Sequence, residues 1–263
     1  MTNKFNEGIN IFDLQGKVAV VIGGGGVLAG AMAEALASVG CSIAILDLSE
    51  ENAQRRATGI EGYGVQALSF ACDVTNKADL IGICDQVIAK LGSVDVLINA
   101  AGINSGTPVL ELEEKEWDLI MDVNLKGMLL ASQVFGEAMI KAGKGGSIIN
   151  LSSASSTVPL SKVFTYSISK HGVNGMTRFL AREWAPHNVR VNAIAPGFFP
   201  AEQNRKLLTA EREAQIMGHT PMKRYGEAEE LGGTTIWLAS GKASGFVTGA
   251  LIRVDGGFMA MTI

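Results

Sequence analysis

The sequence predicts an α/β fold, a doubly wound parallel sheet of about seven strands with helices on both faces. Short runs rich in Val, Ile and Leu alternate along the chain with longer segments of helix-forming residues, which is the pattern of consecutive strand–helix units. These runs are apolar at nearly every position rather than at every second one, as expected for strands covered on both faces.

The composition agrees with one folded unit. The chain has 263 residues, of which 47% are hydrophobic and 18% are charged, and its formal net charge is −4. It contains no Pro/Ser-rich linker, charge block or shift in composition that would mark a domain boundary. We therefore expect a single domain over residues 1–263. The sequence also lacks the basic stripe that is typical of nucleic-acid binding.

Three further patterns limit the class of protein. The uncharged stretch over residues 18–33 contains five glycines, and it is shorter than the roughly 20 residues that a membrane-spanning helix needs. Residues 1–7 lack the apolar segment of a secretory signal, so we expect a cytoplasmic protein without a membrane partner. Cys41, Cys72 and Cys84 lie in apolar segments without Cys-x-x-Cys spacing, which favours buried free thiols. The spacing of the histidines indicates no metal site.

The first strand–turn–helix unit contains a ligand-binding pattern. Residues 17–22 form an apolar run, glycines occupy positions 23–26, and helix-forming residues continue to Gly40. The segment from Gly24 to Ala29 fits the pattern G-x-G-x-x-G/A, in which a glycine turn lets the backbone approach a pyrophosphate at a helix N-terminus. The pattern is typical of Rossmann-type dinucleotide-binding sheets, and glycines needed only for packing are the alternative.

The second strand, predicted over residues 41–46, ends at Asp47. A carboxylate there can accept hydrogen bonds from both hydroxyls of an adenosine ribose and would repel a 2′-phosphate. The next basic residue is Arg55, so these features favour NAD over NADP. The alternative is that Asp47 is only an acid at a helix N-terminus, beside Ser49, which is predicted to cap the helix that starts at Glu50.

The third and fourth strands are predicted over residues 65–72 and 94–98, with an amphipathic helix over residues 77–91 between them. Asp73 follows the third strand, where it can meet an adenine amino group or act as a simple turn acid. Residues 99–102 read Asn-Ala-Ala-Gly. Small residues at the carboxyl end of a strand leave room for a ligand, and open α/β sheets bind their ligands at this edge.

The central segment contains residues suited to proton transfer. A fifth strand, predicted over residues 147–151, precedes Ser153. Tyr166 and Lys170 are four residues apart on the following helix, which is predicted to end near residue 184, so they share one face of that helix. A hydroxyl, a phenol and an ammonium group can together protonate a carbonyl oxygen or deprotonate an alcohol.

Two helices, residues 113–121 and 124–141, are predicted before the fifth strand. Asn124 lies near the start of the second, where a helix cap is its alternative role.

The last third of the chain completes the alternation. A sixth strand over residues 189–194 is followed by Pro-Gly at positions 196–197. The sequence then becomes irregular, polar and basic over residues 198–221, which we interpret as a substrate lid. A helix over residues 227–239 and a final strand over residues 247–254 follow.

In this order and spacing the motifs resemble those of the short-chain dehydrogenase/reductase family, from Lys17 to Phe258. The glycine turn, the acid after the second strand, Asn-Ala-Ala-Gly, Tyr-x-x-x-Lys, Pro-Gly and a C-terminal Asp-Gly-Gly carry the resemblance. Within the family, residues 23–28, 195–199 and 203–207 resemble the sugar-acid branch, which includes D-mannonate (fructuronate) oxidoreductase-like and gluconate 5-dehydrogenase-like members.

Two positions depart from the family pattern. Val27 and Ala29 stand where the family usually has glycines. Ala201 stands where it often has a threonine that binds the nicotinamide carboxamide, so a backbone group would have to serve instead.

The resemblance implies specific roles. Tyr166 is the general acid/base, and Lys170 lowers the pKa of its phenol by charge and holds the nicotinamide ribose. Ser153 orients the substrate oxygen, and Asn124 fixes a water that connects Lys170 to solvent. The implied cofactor contacts are Gly23, Gly24, Gly26, Val27, Leu28, Asp47, Asp73, Val74, Asn99, Ala100, Gly102, Tyr166, Lys170, Pro196, Gly197 and Phe199.

The predicted activity is an NAD-dependent interconversion of a secondary alcohol and a ketone on a sugar acid or polyol. Asn104, Ser155, Asn204 and Arg205 suit a hydroxylated, carboxylated substrate. For the last two a solvated helix face is the alternative, and Phe198 on the lid leaves a fatty-acyl substrate open. A 3-oxoacyl thioester reductase and a non-catalytic dinucleotide sensor are the competing functions. The resemblance also implies a homotetramer built on the two long helices and the C-terminal strand.

Overall fold

The computed structural model describes residues 10–200 and 209–261, and it confirms the predicted fold class. Seven parallel strands form one sheet in the order β3-β2-β1-β4-β5-β6-β7. The strands are β1 Val18–Ile22, β2 Ser42–Asp47, β3 Ala67–Ala71, β4 Val96–Asn99, β5 Gly146–Leu151, β6 Val189–Pro196 and β7 Leu251–Val254. The order reverses direction at β1 and β4, and ligands of open α/β sheets bind beside such a reversal, at the carboxyl edge.

Helices cover both faces of the sheet. Within the described residues they are α1 Val27–Ser38, α2 Glu50–Glu61, α3 Lys77–Leu91, α4 Glu114–Met121, α5 Gly127–Ala142, α6 Phe164–Trp184, α7 Ala210–His219, α8 Gly232–Ala239 and α9 Gly241–Ser244. Short 3-10 turns lie at Val109–Glu111, Ala154–Ser156, Ala185–His187, Ala228–Leu231 and Phe258–Ala260.

Two apolar layers, one on each face of the sheet, form the core. Alternate residues of β1 belong to different layers, with Val20 facing α3, α5 and α6 and Val21 facing α1, α2 and α8. All five residues of β1 are buried. This explains why its sequence is apolar at every position, because a strand covered on both faces has no solvent side.

Local signals set several helix boundaries as predicted. Ser49 accepts a hydrogen bond from the Asn52 N–H and begins α2. Asn76 accepts hydrogen bonds from the first turn of α3, so it is the cap of that helix rather than Thr75.

The segment between α4 and α5 differs from the prediction of two separate helices. A π-helical turn, Asp122–Lys126, joins them, and Asn124 lies at its centre with its side chain fully buried. Asn124 is therefore not a helix cap. One extra residue in a helical turn leaves no periodicity signal in sequence, and π turns are frequent at functional sites.

Two other elements also differ. Part of the predicted irregular segment 198–221 is regular, because Ala210–His219 forms α7 with Thr209 as its cap. The last strand covers only Leu251–Val254 instead of residues 247–254.

Candidate active site

Ser153 lies at the carboxyl edge of the sheet, directly after β5, and opens the 3-10 turn Ala154–Ser156. Its Oγ accepts hydrogen bonds from the backbone N–H and the hydroxyl of Ser155, with distances of 3.2 and 3.0 Å. Since a hydroxyl has two lone pairs and one proton, both lone pairs are occupied. Ser153 is thus left to act as a hydrogen-bond donor.

Tyr166 lies in the first turn of α6 and is partly buried. Burial raises the pKa of its phenol above the ordinary value, and a hydrogen bond with Ser153 partly offsets this rise. The sequence-based expectation was a pKa lowered by Lys170. The structure differs, because desolvation disfavours the phenolate more than its surroundings stabilise it.

Lys170 is only 2% exposed. Its Nζ donates a hydrogen bond of 2.7 Å to the carbonyl oxygen of Leu151, the last residue of β5. The same Nζ lies 5.4 Å from the centroid of the Tyr166 ring, so the cation faces the aromatic face. Burial lowers the pKa of Lys170 to about 8. The ammonium group is therefore close to its titration range at neutral pH.

The side chain of Asn124 braces two segments of the site. Its Oδ1 accepts from the Ile103 N–H at 2.8 Å, and its Nδ2 donates to the Ile103 carbonyl oxygen at 2.9 Å. The second amide proton goes to Ser169 Oγ at 3.1 Å, and Ser169 donates to the carbonyl oxygen of Tyr166 at 2.7 Å. Asn124 thereby connects the segment after β4 to the helix that carries Tyr166. No pattern in the sequence indicates this role of Ser169.

The backbone N–H groups of the glycine turn all donate hydrogen bonds to acceptors within the protein. Gly23 and Gly24 donate to the carbonyl oxygen of Leu46, Gly25 donates to Asp47, and Gly26 donates to the carbonyl oxygen of Gly23. The N–H groups that remain available for an anion are therefore those of the first turn of α1, which begins at Val27 and includes Leu28 and Ala29. Because backbone N–H groups would bind the anion, side chains at positions 27 and 29 are compatible with a phosphate site.

Gly23 is required where the segments after β1 and β4 meet. Its φ is +74°, and a Cβ atom there would lie 2.8 Å from the backbone nitrogen of Ala101. Gly102, in the same segment after β4, has Asn124 and Lys170 as neighbours, since a Cβ on it would lie 3.6 Å from Lys170 Nζ. Asn99 is buried at the end of β4 and donates to Ser132 and Asn150. The segment after β4 thus lies between the glycine turn on one side and Asn124 and Lys170 on the other, and Ala100 is part of this segment.

Two acidic residues lie at the carboxyl ends of β2 and β3. Asp47 is partly exposed and accepts hydrogen bonds of 3.0 Å from the N–H groups of Gly25 and Ser49. Asp73 is exposed, and Thr75 lowers the pKa of its carboxyl by hydrogen bonding. Val74 beside it is buried. Both carboxylates keep lone pairs for a ligand.

Arg56 is a residue near the dinucleotide-binding segment that sequence reasoning missed. Its guanidinium group covers Gly30 of α1, and its Nη2 lies 3.5 Å from the carbonyl oxygen of Gly26. It also pairs with Glu34. Sequence distance concealed it, because α2 folds back against α1.

The end of β6 places Pro196 and Gly197 beside the C-terminal Asp-Gly-Gly turn. The Gly197 N–H donates to the Val254 carbonyl oxygen at 2.9 Å, and a Cβ on Gly197 would lie 2.7 Å from the Asp255 Cα. Phe199 is 8% exposed and its ring packs in the core against Gly226. Since the ring is packed in this way, the cofactor contact predicted for Phe199 would use its backbone, and it stays a prediction.

The predicted substrate residues have different surroundings. Asn104 is exposed in the segment after β4. Ser155 is 1% exposed and its hydroxyl donates to Ser153, so a direct contact of Ser155 with substrate stays a prediction. Asn204, Arg205 and Ala201 lie outside the described residues.

A cavity of about 690 Å³ lies at the opposite edge of the sheet, lined by residues at strand starts such as Lys17, Gly146 and Val189. It is separate from Tyr166 and the glycine turn. Within residues 10–200 and 209–261, no group of three or more His, Cys, Asp or Glu side chains could hold a metal ion. The helices of the same ranges include none that is long and apolar enough to cross a membrane.

This edge of the sheet combines a helix N-terminus for an anion with a hydroxyl, a phenol and a buried ammonium group, which defines the class of dinucleotide-dependent oxidoreductases. A family model described as enoyl-(acyl carrier protein) reductase matches residues 26–259. The chain belongs to the short-chain dehydrogenase/reductase family. It is an oxidoreductase of a family that uses a nicotinamide dinucleotide and acts on alcohol groups.

Three similar proteins are informative. A 2-dehydro-3-deoxy-D-gluconate 5-dehydrogenase from Dickeya dadantii is 37% identical over 96% of this chain and 99% of its own length. A solved gluconate 5-dehydrogenase from Burkholderia cenocepacia, in complex with NADP and tartrate, is 33% identical with a TM-score of 0.91 over 95% of this chain and 98% of its own. A protein from Haemophilus influenza, provisionally named D-mannonate oxidoreductase and solved with bound NAD, is 33% identical with a TM-score of 0.90 over 96% of this chain and 99% of its own.

Proposed function

We propose that this protein is an NAD-dependent oxidoreductase that interconverts a secondary alcohol and a ketone on a sugar acid or polyol. The observation that carries the proposal is the arrangement of Ser153, Tyr166 and Lys170 beside the N-terminus of α1. The names of the similar proteins support the substrate class, since all three act on, or are named for, sugar acids.

The residues at this edge fit a nicotinamide dinucleotide. Free N–H groups at the start of α1 suit its pyrophosphate, Asp47 suits the adenosine ribose, and Gly102 leaves space beside Lys170. When bound, the nicotinamide supplies or accepts the hydride.

The chain itself moves the proton. With both lone pairs of Ser153 Oγ occupied by Ser155, its hydroxyl exchanges its hydrogen bond with Tyr166 for one to the substrate oxygen and orients that oxygen. The Tyr166 phenol gives a proton to that oxygen in ketone reduction, and the Tyr166 phenolate removes one in alcohol oxidation. The raised pKa of Tyr166 favours the acid role. Lys170 uses one N–H on Leu151, which leaves two for ribose hydroxyls. In this proposal Asn124 retains its predicted part in a water relay from Lys170.

NAD is the proposed cofactor because Asp47 would repel a 2′-phosphate. Similar proteins have been solved with NADP and with NAD, so they support the cofactor class and leave this choice to Asp47. Arg56 is paired with Glu34, which reduces its attraction for a further phosphate.

We further propose that residues 198–221 act as a substrate lid, with Asn204 and Arg205 contributing to substrate contacts, and that the protein is a cytoplasmic homotetramer. Exposed apolar side chains on the two long helices support the assembly, including Leu129 on α5 and Phe179 on α6. Sedimentation as a monomer at micromolar concentration would contradict the tetramer.

The test is a rate panel with NAD and NADP. The panel contains hexonates, uronates, keto-gluconates, polyols and 3-hydroxyacyl thioesters, each assayed with wild type and Tyr166→Phe. NAD-linked turnover of a sugar acid or polyol that the variant loses supports the proposal. A relative from Thermotoga maritima that is named 3-oxoacyl-(acyl-carrier-protein) reductase, 34% identical over 94% of this chain, favours one second candidate, a reductase of 3-oxoacyl thioesters. NADP-linked turnover of a thioester would establish that candidate, and NAD binding without any turnover would favour a sensor.

A further inference from the structure

Arg212, near the start of α7, reaches across to the segment that precedes α6. Its Nη1 donates to Ser161 Oγ and its Nη2 to the Ser161 carbonyl oxygen, both at 3.1 Å. Ser161 precedes Tyr166 by five residues. The two planar N–H groups of the guanidinium therefore point at two oxygen atoms just ahead of the catalytic tyrosine.

The other end of α7 is fixed at the carboxyl edge of β7. The ring of His219 packs edge-on against Phe258 with 4.7 Å between the centroids, and the Met222 N–H donates to the Gly256 carbonyl oxygen at 3.2 Å. The helix thus extends from the β6–β7 side of the edge to the β5–α6 side. Arg212 lies near the end that contacts Ser161, a residue of the segment between Ser153 and Tyr166.

A third segment meets the other two at this point. Lys162, next to Ser161, has a φ of +61°, which is uncommon for a residue with a side chain. Its Cβ lies 4.0 Å from the position a Cβ on Gly106 would occupy, in the segment after β4. The segment that Arg212 contacts at Ser161 therefore packs, one residue later, near the segment after β4.

The partners of Arg212 are neutral. Among the described residues it forms no ion pair with a carboxylate. The carboxylate of Glu116 accepts hydrogen bonds from the hydroxyls of Ser105 and Thr107, which lie in the segment after β4, and it is not a partner of Arg212. A planar guanidinium group on two neutral oxygens can exchange them for the two oxygens of a carboxylate, with shorter and stronger hydrogen bonds.

We infer that Arg212 binds the carboxylate of the substrate and thereby selects sugar acids over polyols. The inference rests on the proposed function and deepens it, because it assigns the acid group of the substrate to one side chain. The competing explanation is that Arg212 only clasps α7 to the segment before α6.

The experiment compares each hexonate with the hexitol of the same hydroxyl pattern: gluconate with glucitol, mannonate with mannitol, galactonate with galactitol. The full-length chain is assayed with saturating NAD as wild type, Arg212→Gln, Arg212→Lys and Ser161→Ala. For Arg212→Gln we expect KM for the acid to rise about 10- to 100-fold, as for loss of charge-assisted hydrogen bonds, with kcat little changed. KM for the hexitol and for NAD should stay at the wild-type value, which also reports that the variant is folded.

The other variants separate recognition from clasping. Arg212→Lys keeps the charge without the planar fork, so its KM for the acid should fall between those of wild type and Arg212→Gln. Ser161→Ala removes one of the two present acceptors and should change KM for the acid by less than about twofold. Equal losses for acid and hexitol, or a Ser161→Ala that matches Arg212→Gln, would overturn the anchor while leaving the sugar-acid function standing. A wild-type enzyme that oxidises no hexonate would overturn both.

Discussion

The two halves of the carboxyl edge hold their ligand-facing groups in different ways. On the β1–β2 side the groups are backbone N–H groups at the start of α1 and the carboxylate of Asp47, all from one strand–helix–strand unit. On the β4–α6 side Tyr166, Lys170 and Asn124 are held by residues from distant segments, among them Leu151.

The difference teaches that the two halves tolerate change differently. Backbone groups remain when side chains change, so Val27 and Ala29 can replace glycines without removing the N–H groups that face an anion. Buried side-chain hydrogen bonds between distant segments are lost when one side chain is substituted, because the remaining partner is then buried without a hydrogen bond. We therefore expect the strongest effects of substitution on the catalytic side.

The largest effect is expected for Tyr166→Phe. Loss of the proton-transferring hydroxyl should lower kcat by about 10²- to 10⁴-fold. NAD affinity, measured by calorimetry, should stay close to wild type, since the groups proposed to bind most of the dinucleotide lie on the other side. If affinity and turnover fell together, the division into two halves would be wrong.

Asn124→Ala tests the brace across the catalytic half. The substitution leaves the N–H and carbonyl groups of Ile103 without their side-chain partners, and the free energy of unfolding should fall by about 2 to 4 kcal/mol. Asn76→Ala is the matched control, because it removes only an exposed helix cap and should cost about 1 kcal/mol. Chemical denaturation measures both. A smaller loss for Asn124→Ala than for Asn76→Ala would refute the brace.

Lys170 gives the catalytic half a pH dependence. Because burial lowers its pKa from 10.5 to about 8, the unfolded chain binds more protons between these two values, and this contribution raises the free energy of unfolding as the pH rises through the window. Between pH 8 and 10.5, the free energy of unfolding of wild type should therefore rise by about 2 to 3 kcal/mol relative to that of Lys170→Met. Denaturation curves over this range measure the difference, and parallel pH profiles would show that Lys170 is not desolvated.

Asp47→Ser probes the cofactor half and should have the smallest effect. The ratio of kcat/KM for NAD over NADP should fall about 10- to 100-fold, because the repulsion of a 2′-phosphate and the charged acceptor are both removed. The ratio is measured because the substitution also removes the hydrogen bond that the Gly25 N–H donates to Asp47, and this loss should weaken the binding of NAD and of NADP alike. Glu50→Gln, which removes a neighbouring charge at the start of α2, should leave the ratio unchanged. An unchanged ratio in Asp47→Ser would assign cofactor choice elsewhere, with Arg56 the next residue to test.

By itself the sequence determined the fold class, the strand and helix order, and the local motifs. Strands buried on both faces are apolar at every position, and caps such as Ser49 act within a few residues of their own place in the chain. Such features need no knowledge of distant contacts. The positions of Ser153, Tyr166 and Lys170 follow for the same reason, since one strand end and one helix turn bring them together.

Only the tertiary structure decided how these groups are supported. It paired Ser155 with Ser153, buried Asn124 in a π turn, brought Arg56 to Gly30, and placed Arg212 against Ser161. It also raised the pKa of Tyr166 where charge alone predicted the reverse. The physical reason is common to all of them: desolvation and hydrogen-bond pairing depend on which segments pack together, and residue spacing along the chain does not encode that.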